Sequence, residues 1–326
     1  MENSGTHIPV LLREFLQEVS PIEGNWLDGT FGAGGYTKAL IEAGAKQVIA
    51  FDCDPEAFNQ YRTLPKDIRG NTTFIANWFG DFDHLRDIQS FLPLDGVVFD
   101  LGVSSFQFDQ NERGFSLNKE GPLDMRMSQN GVSAADLVNE YTEAQLADLF
   151  FLFGEERAAR KIARGIVKER RNGPINSTLQ LAEIIKGIVP GTGKNKIHPA
   201  TKSFMALRIV VNRELEQLEK GLLAAARVLR EGGRLAIITF NSLEDRIVKN
   251  FLNPKGKNNR YLPQEQPKQL PFRLKHTKPI SPAKEEIIHN PRARSAKLRV
   301  GIKNKLEEEF TLVTMEPNFM DKFAKI

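Results

Sequence analysis

The chain has 326 residues with 40% hydrophobic and 26% charged side chains, which excludes a disordered or fibrous class and leaves room for two domains or one interrupted domain. Its single cysteine, Cys53, excludes an internal disulfide framework and a cysteine-based zinc cluster, and points to a reducing compartment. The net charge of +4 conceals an asymmetry: residues 254–299 hold twelve Lys or Arg against three Glu, so the remainder is acidic and the basic stretch is either a solvated loop or a surface for a polyanion.

"MENSGTHIPVLL" carries an early Glu2 and too short an apolar run for a signal peptide. No segment reaches the roughly eighteen apolar residues of a membrane span, so a cytoplasmic protein with no membrane partner is expected. From residue 25 to 100 short apolar runs alternate with helical periods. "NWLDGT", "QVIAFDCD", "TTFIANWF" and "DGVVFDLG" read as strands, and "GGYTKALIEAGA", "PEAFNQYRTL" and "FGDFDHLRDIQSFL" as the helices between them. This alternation predicts an α/β fold with a parallel sheet covered on both faces.

"WLDGTFGAGGYTKAL" is strand, glycine-rich turn and helix, an outline that brings backbone NH groups to a ligand. A dinucleotide fingerprint would have a third Gly where this chain has Thr37, and an acid, Asp28, closes the strand. Asp52 follows Gly34 by eighteen residues, the place from which a carboxylate accepts hydrogen bonds from ribose hydroxyls. NAD and S-adenosylmethionine both satisfy this pattern. Trp78 and Phe79 end the third strand, where they either flank an adenine ring or pack in the core.

The fourth strand continues as "VVFDLGVSSFQFD", which delivers Asp100, Ser104 and Ser105 to the ligand end of the sheet. A carboxylate and hydroxyls there suit an exocyclic amine, whose hydrogen bonds to them would favour the nucleophilic form in an in-line methyl transfer. Carbon-5 methylation of a pyrimidine needs a nucleophilic Cys. Cys53 directly follows the ribose acid, on the wrong side of the cofactor for that task.

After Gly102 the alternation stops. Helix starts are expected at Ser133, Thr142 and Ser177, and one long helix from "SFMALRIVV" to "ARVLREGG", before "RLAIITFN" resumes the sheet. A helical insertion over residues 104–205 is therefore expected between the fourth and fifth strands. "GTGKNK" (191–196) lacks the earlier Gly and the following Ser or Thr of a phosphate loop and reads as a basic connector. In "EERAARKIARGIVKERR", Arg157, Lys161, Arg164, Lys168 and Arg171 recur at spacings of four and three, so they share one helix face. That face is a track for RNA phosphates or a solvated surface. His198 before Pro199 is read as ordering a loop. Seven of the seventeen prolines fall in an extended basic loop, 254–291, interrupted by "FRLKHT" and followed by the final strand "AKLRVGIKNK". No metal-ligand set stands out.

The motifs "DGTFGAGGYT", "FDLGVSS", "ERGFS", "GPLDMRM", "GEERAARKIARGIV", "HPATKSFMALRIVVNREL", "NSLEDRIVK" and "NPRARSAKLR" together resemble the RsmH (MraW) family of S-adenosylmethionine-dependent ribosomal RNA methyltransferases. Members methylate the N4 amine of one cytosine in the decoding region of 16S small-subunit RNA. The resemblance implies a class I methyltransferase fold, Rossmann-like with a mostly parallel seven-stranded sheet, built from residues 1–103 and 206–326 around an all-helical substrate-recognition insertion. It implies S-adenosyl-L-methionine as cofactor, contacted by Gly34, Gly35, Tyr36, Asp52, Phe79, Asp100 and Gln107. It also implies small-subunit ribosomal RNA, or the subunit, as partner, with Arg292 and Arg294 joining the basic helix face in RNA binding. A homodimer is compatible with it.

Three positions depart from the family pattern: Tyr36 and Asn241 stand where His is common, and Phe106 where Pro is common. Asn241 cannot titrate as His would. It keeps open the reading of an RNA-binding assembly factor of the same fold without turnover; among enzymes the alternative is a methyltransferase for another RNA or a small molecule.

Overall fold

The computed structural model describes residues 9–189, 198–253 and 270–305. The "GTGKNK" connector and the first part of the basic loop, 254–269, lie outside the described residues.

Seven strands, β1 (Asn25–Asp28), β2 (Gln47–Asp52), β3 (Thr72–Ala76), β4 (Leu94–Asp100), β5 (Leu229–Thr239), β6 (Phe272–Leu274) and β7 (Lys297–Lys303), form one sheet in the order β3-β2-β1-β4-β5-β7-β6. The first five pair in parallel, and β7 runs antiparallel to both β5 and β6. The mostly parallel α/β sheet expected from sequence is thus present. The helices are α1 (Leu12–Val19), α2 (Gly35–Glu42), α3 (Pro55–Thr63), α4 (Lys66–Gly70), α5 (Ser105–Asp109), α6 (Ala134–Glu140), α7 (Glu143–Gly154), α8 (Ala159–Glu169), α9 (Thr178–Ile188), α10 (Thr201–Val211), α11 (Glu214–Val228), α12 (Ser242–Leu252) and α13 (Lys284–His289). Among the described residues no helix is long and apolar enough to cross a membrane.

Two compact units divide the described chain: one holds the residues through Gly102 and those from Glu216 on, the other spans Val103–Leu215. In the first, both faces of every central strand are buried, which is why those strands read as unbroken apolar runs. Leu27, Phe51, Val97, Phe99 and Ile237 pack with Leu218 and Leu222 of α11 and Val248 of α12. The alternate residues Trp26, Val48, Val98, Ala236 and Ile238 pack with Phe15 of α1 and Leu40 of α2 on the other face.

The second unit is helical. Ser133, Thr142 and Ser177 are indeed N-caps, their side chains accepting from the NH groups of Asp136, Gln145 and Gln180. The unit ends at Leu215 rather than 205, because α10 packs on α7. The single long helix expected from "SFMALRIVV" to "ARVLREGG" is two helices. Arg213, with φ of 51°, breaks it, and the break is held by the Asn212 side chain: Nδ2 donates to Met125 O at 2.8 Å and Oδ1 accepts from Met127 N at 2.8 Å. Hydrogen bonds that Asn makes to a remote backbone outweigh the helical periodicity on either side.

A second difference concerns residues 79–92. They form two 3-10 turns, Phe82–His84 and Arg86–Phe91, around an extended Leu85, since burying both Phe82 and Ile88 holds the segment to the sheet.

Gly96 is the point where β4 passes under the Trp26 ring: a Cβ there would stand 2.2 Å from the ring. With Trp26 only 1% exposed the ring has nowhere to go. Gly96→Ala should therefore cost about 1–3 kcal/mol in urea unfolding, through overpacking; a variant as stable as the parent would show that the strand yields there.

Candidate active site

The chain runs outward from β1 to β2 and β3 and then returns to β4 on the other side of β1, so the carboxyl ends of β1 and β4 flank the switch in strand order where open α/β sheets bind ligands. Strands β1, β2 and β4 end in Asp28, Asp52 and Asp100. Neighbouring strands bring the three acids together.

Asp28 is fully buried, its Oδ2 accepting from Thr37 Oγ1 at 2.7 Å and its Oδ1 from the Thr30 NH at 3.2 Å. Thr37 therefore has a definite task where a dinucleotide fold would have glycine. Burial pushes the Asp28 carboxyl up to about 6, against the bonds from Thr37 and Thr30.

In the turn between, Gly34 adopts φ of 80° as N-cap of α2, a conformation that favours glycine. A Cβ on Gly35 would lie 2.2 Å from Pro9 Cγ, so only glycine keeps the backbone this close. Asp52 is held by two backbone amides, Gly32 N to Oδ2 and Asp54 N to Oδ1, each at 2.8 Å. Burial raises it too to about 6, with Asp54 and Asp28 adding in the same direction.

Asp100 is different. Its NH donates to Thr30 Oγ1 at 2.6 Å, but its carboxylate Oδ1 is buried with no hydrogen-bond partner among the described residues. Burial, then Asp28 and Glu244, push its carboxyl well above the ordinary range. Tyr36, buried on α2, donates its hydroxyl to the Val10 carbonyl, which leaves the phenol structural. The half-buried Phe79 ring lies tilted against Phe99, centroids 4.8 Å apart, and beside Gly221, so part of it packs on the core.

Asn241, the departure that sequence left open, is the N-cap of α12. Its Oδ1 accepts from Leu243 N and Glu244 N at 3.0 Å, and its Nδ2 donates to Glu244 Oε1. Glu244, 2% exposed, in turn accepts from Phe240 N at 2.8 Å. Both functional atoms of Asn241 are thus committed to a capping box. Sequence reasoning marked Thr37 as a departure without giving it a partner, and did not single out Thr30 or Glu244; the Asn-x-x-Glu spacing at 241–244 was the available signal for the last.

In the helical unit, Ser104 is the N-cap of α5, which Ser105 begins. Gln107, buried, accepts from Ser104 N at 2.9 Å, while Ser104 Oγ is buried without a partner among the described residues. The five basic residues do not form one helical track. Arg157 precedes α8 and Arg171 lies in a 3-10 turn beyond it, because the helix starts only at Ala159 and gives way at Arg170. Lys161, Arg164 and Lys168 do share an exposed face, with Arg164 3.4 Å from Glu143. Arg292 and Arg294 are exposed in the turn Pro291–Ser295, in the sheet unit. His198 Nδ1 accepts from Ala200 N at 3.2 Å and orders the entry to α10. Among the described residues no cluster of His, Cys, Asp and Glu is placed to hold a metal ion.

A buried Asp28, a half-buried Asp52 and Asp100, no salt bridge to any of them among the described residues, and one orphaned carboxylate oxygen suit a ligand that carries positive charge. S-adenosylmethionine brings a sulfonium and an ammonium, and its ribose matches a carboxylate fixed at the end of β2. The residues present therefore fit it.

The raised acids set a pH dependence. In the cofactor-free protein Asp28 and Asp52 ionise at about 6, against an ordinary 3.8 once unfolded, so the fold holds their protons more tightly. The stability this contributes is complete below pH 3.8 and is lost as pH rises through 6, roughly 3 kcal/mol per group. Asp28→Asn should gain stability relative to the parent between pH 4 and 6 and hold that gain to pH 7, measured by urea unfolding. A difference that does not change with pH would refute the buried-acid account.

Comparison with known proteins bears on the same residues. A family model described as the MraW methylase family matches residues 4–304. A protein of Ruegeria sp. (strain TM1040) named Ribosomal RNA small subunit methyltransferase H is 55% identical over 91% of this chain and 90% of its own length. One of that name from Roseobacter denitrificans is 50% identical over 93% of this chain and 91% of its own. A solved structure described as a putative rRNA-methylase from Clostridium thermocellum aligns with 91% of this chain and 100% of its own at 13% identity and a TM-score of 0.41. On the family match and these identities, the chain whose adjacent strands end in Asp28, Asp52 and Asp100 belongs to the MraW methylase family.

Proposed function

We propose that this protein transfers the methyl group of S-adenosyl-L-methionine to the N4 amine of a cytosine in 16S small-subunit ribosomal RNA. The observation that carries the reading is the unpartnered, buried Oδ1 of Asp100 at the end of β4. A buried carboxylate oxygen without a donor is costly, and an exocyclic NH2 supplies the missing bond. The relatives' name, with its small-subunit RNA substrate, supports the choice of acceptor.

When bound, the cofactor supplies an electrophilic methyl on a positively charged sulfur. Asp52 would hold the ribose hydroxyls, and the backbone at Gly34, Gly35 and Tyr36 would hold the amino-acid end. The family pattern adds Phe79 and Gln107 to these contacts. Beside a bound cation the raised acids would release their protons to solvent, and Asp100 would then be ionised and able to accept from the amine. Ser104 and Ser105 are assigned to the same amine. The task of these groups is alignment of nitrogen, methyl and sulfur. The methylated amine is acidic enough to lose its proton without a dedicated base. Asn241 is consistent with that, since its side chain is engaged in capping α12.

The sheet unit is assigned the chemistry and the helical unit, Val103–Leu215, the recognition of RNA. Arg157, Lys161, Arg164, Lys168, Arg171, Arg292 and Arg294 are assigned to phosphates. The RNA is met free or within the small subunit, in the cytoplasm, and no dimer is required. An assembly factor without turnover is the less favoured reading, because the one departure that supported it has a structural role.

Mass analysis of 16S RNA from cells with and without the gene should show one N4-methyl group lost. Asp100→Ala should lower kcat at least a hundredfold while the fold survives; an unchanged modification pattern, or full activity in the variant, would sink the reading. Asn241→Ala should cost about 0.5–2 kcal/mol of stability by loss of the cap and leave the pH profile of kcat unmoved. A profile that loses a limb would make Asn241 part of the chemistry.

A further inference from the structure

Most apolar side chains of α7 are buried in the helical unit, Leu149, Phe150 and Phe153 among them, but Phe151 is 60% exposed. A lone exposed Phe would need no explanation. This one lines an open cleft of about 620 Å3 together with Asp148, one turn back on α7, and Arg157, Arg160 and Lys161 at the start of α8. None of these three cations makes an ion pair among the described residues. The amino end of α8 is itself occupied by Glu156, whose carboxylate accepts from the Ala158 NH at 2.8 Å, so the positive potential of the cleft comes from the three side chains.

A flat hydrocarbon ring beside three free cations and one acid is an unusual mixture. An apolar peptide would leave the cations without partners, and a duplex presents no open base face to the ring. An unpaired nucleotide satisfies all of it: the base stacks on Phe151, its phosphates meet Arg157, Arg160 and Lys161, and Asp148 repels phosphate while accepting from an exocyclic amine on the base edge. We propose that this cleft holds an unpaired nucleotide of the RNA substrate. None of the residues assigned to the accepting amine lines the cleft, so this nucleotide is additional to the methylated cytosine. The proposal rests on the reading of the protein as an RNA methyltransferase and adds which form of RNA the insertion selects.

The test uses the full chain and a labelled single-stranded oligoribonucleotide, with a duplex of the same length as comparison, followed by fluorescence anisotropy across a salt series. Phe151→Ala should weaken single-strand binding about tenfold, leave the duplex nearly unaffected and keep the salt slope, and Phe151→Trp should restore affinity. Arg160→Gln should instead shallow the salt slope by about 0.7. With a small-subunit RNA fragment as substrate, Phe151→Ala should raise KM for RNA while kcat and the affinity for S-adenosylmethionine hold. Equal affinities of wild type and Phe151→Ala, or equal losses for single strand and duplex, would overturn the proposal and leave the cleft to a protein contact. Absence of methyl transfer in the wild type, with single-strand stacking intact, would instead remove the enzymatic reading alone.

Discussion

Buried negative charge is the constraint around which the sheet unit is organised. Asp28, Asp52 and Asp100 end adjacent strands, and each raises the carboxyls of its neighbours or is raised by them. A protein can keep such groups ionised only by hydrogen bonds or by a cation. This one supplies the bonds unequally: two backbone amides at Asp52, a hydroxyl and an amide at Asp28, and none at Asp100 Oδ1. The gradient runs from the strand that would hold the cofactor's ribose to the strand that would meet the acceptor. What is left unsatisfied is on the reacting side, where a ligand that arrives, reacts and leaves must make and break its own contacts.

The same arrangement shows why the local sequence around each acid differs. Thr30 serves two acids at once, its NH at Asp28 and its hydroxyl accepting from the Asp100 backbone, so the first loop ties the first and fourth strands together. Glu244 on α12 adds its negative charge to the field at Asp100, while its own carboxylate accepts from the Phe240 NH and the Asn241 amide. An ionisable His at position 241 would change that balance. Asn preserves the cap and removes a titrating group from the neighbourhood of the acid.

Much of this was legible in the chain. Strands buried on both faces leave unbroken apolar runs, and an acid closing such a run has few structural uses, so Asp28, Asp52 and Asp100 could be placed at strand ends from pattern alone. The helix starts of the insertion were equally legible, because Ser133, Thr142 and Ser177 precede apolar periods. Features set by contacts distant in sequence were not. The break at Arg213 depends on Asn212 reaching Met125 and Met127, which no local window contains. Phe79 was expected either to flank a ligand or to join the core, and its contacts with Phe99 and Gly221, invisible in the local sequence, supply the core side of that pair. The basic track failed at its ends for a simpler reason: periodicity assumes a continuous helix, and α8 is shorter than the charged run.

The pairing of β4 with β5 has a consequence for how the chain is made. Asp100 lies opposite Ile238, so the ribosome must synthesise the whole helical unit before β4 gains its second neighbour. Asn212, which closes that unit on Met125 and Met127, emerges before β5 does. During synthesis β4 is therefore an open edge of strongly apolar sequence, the kind of edge that recruits wrong partners. An insertion that closed on itself at that stage would shorten the list of segments that could pair there by mistake, and in a nascent chain that would be a role quite apart from any RNA it later binds.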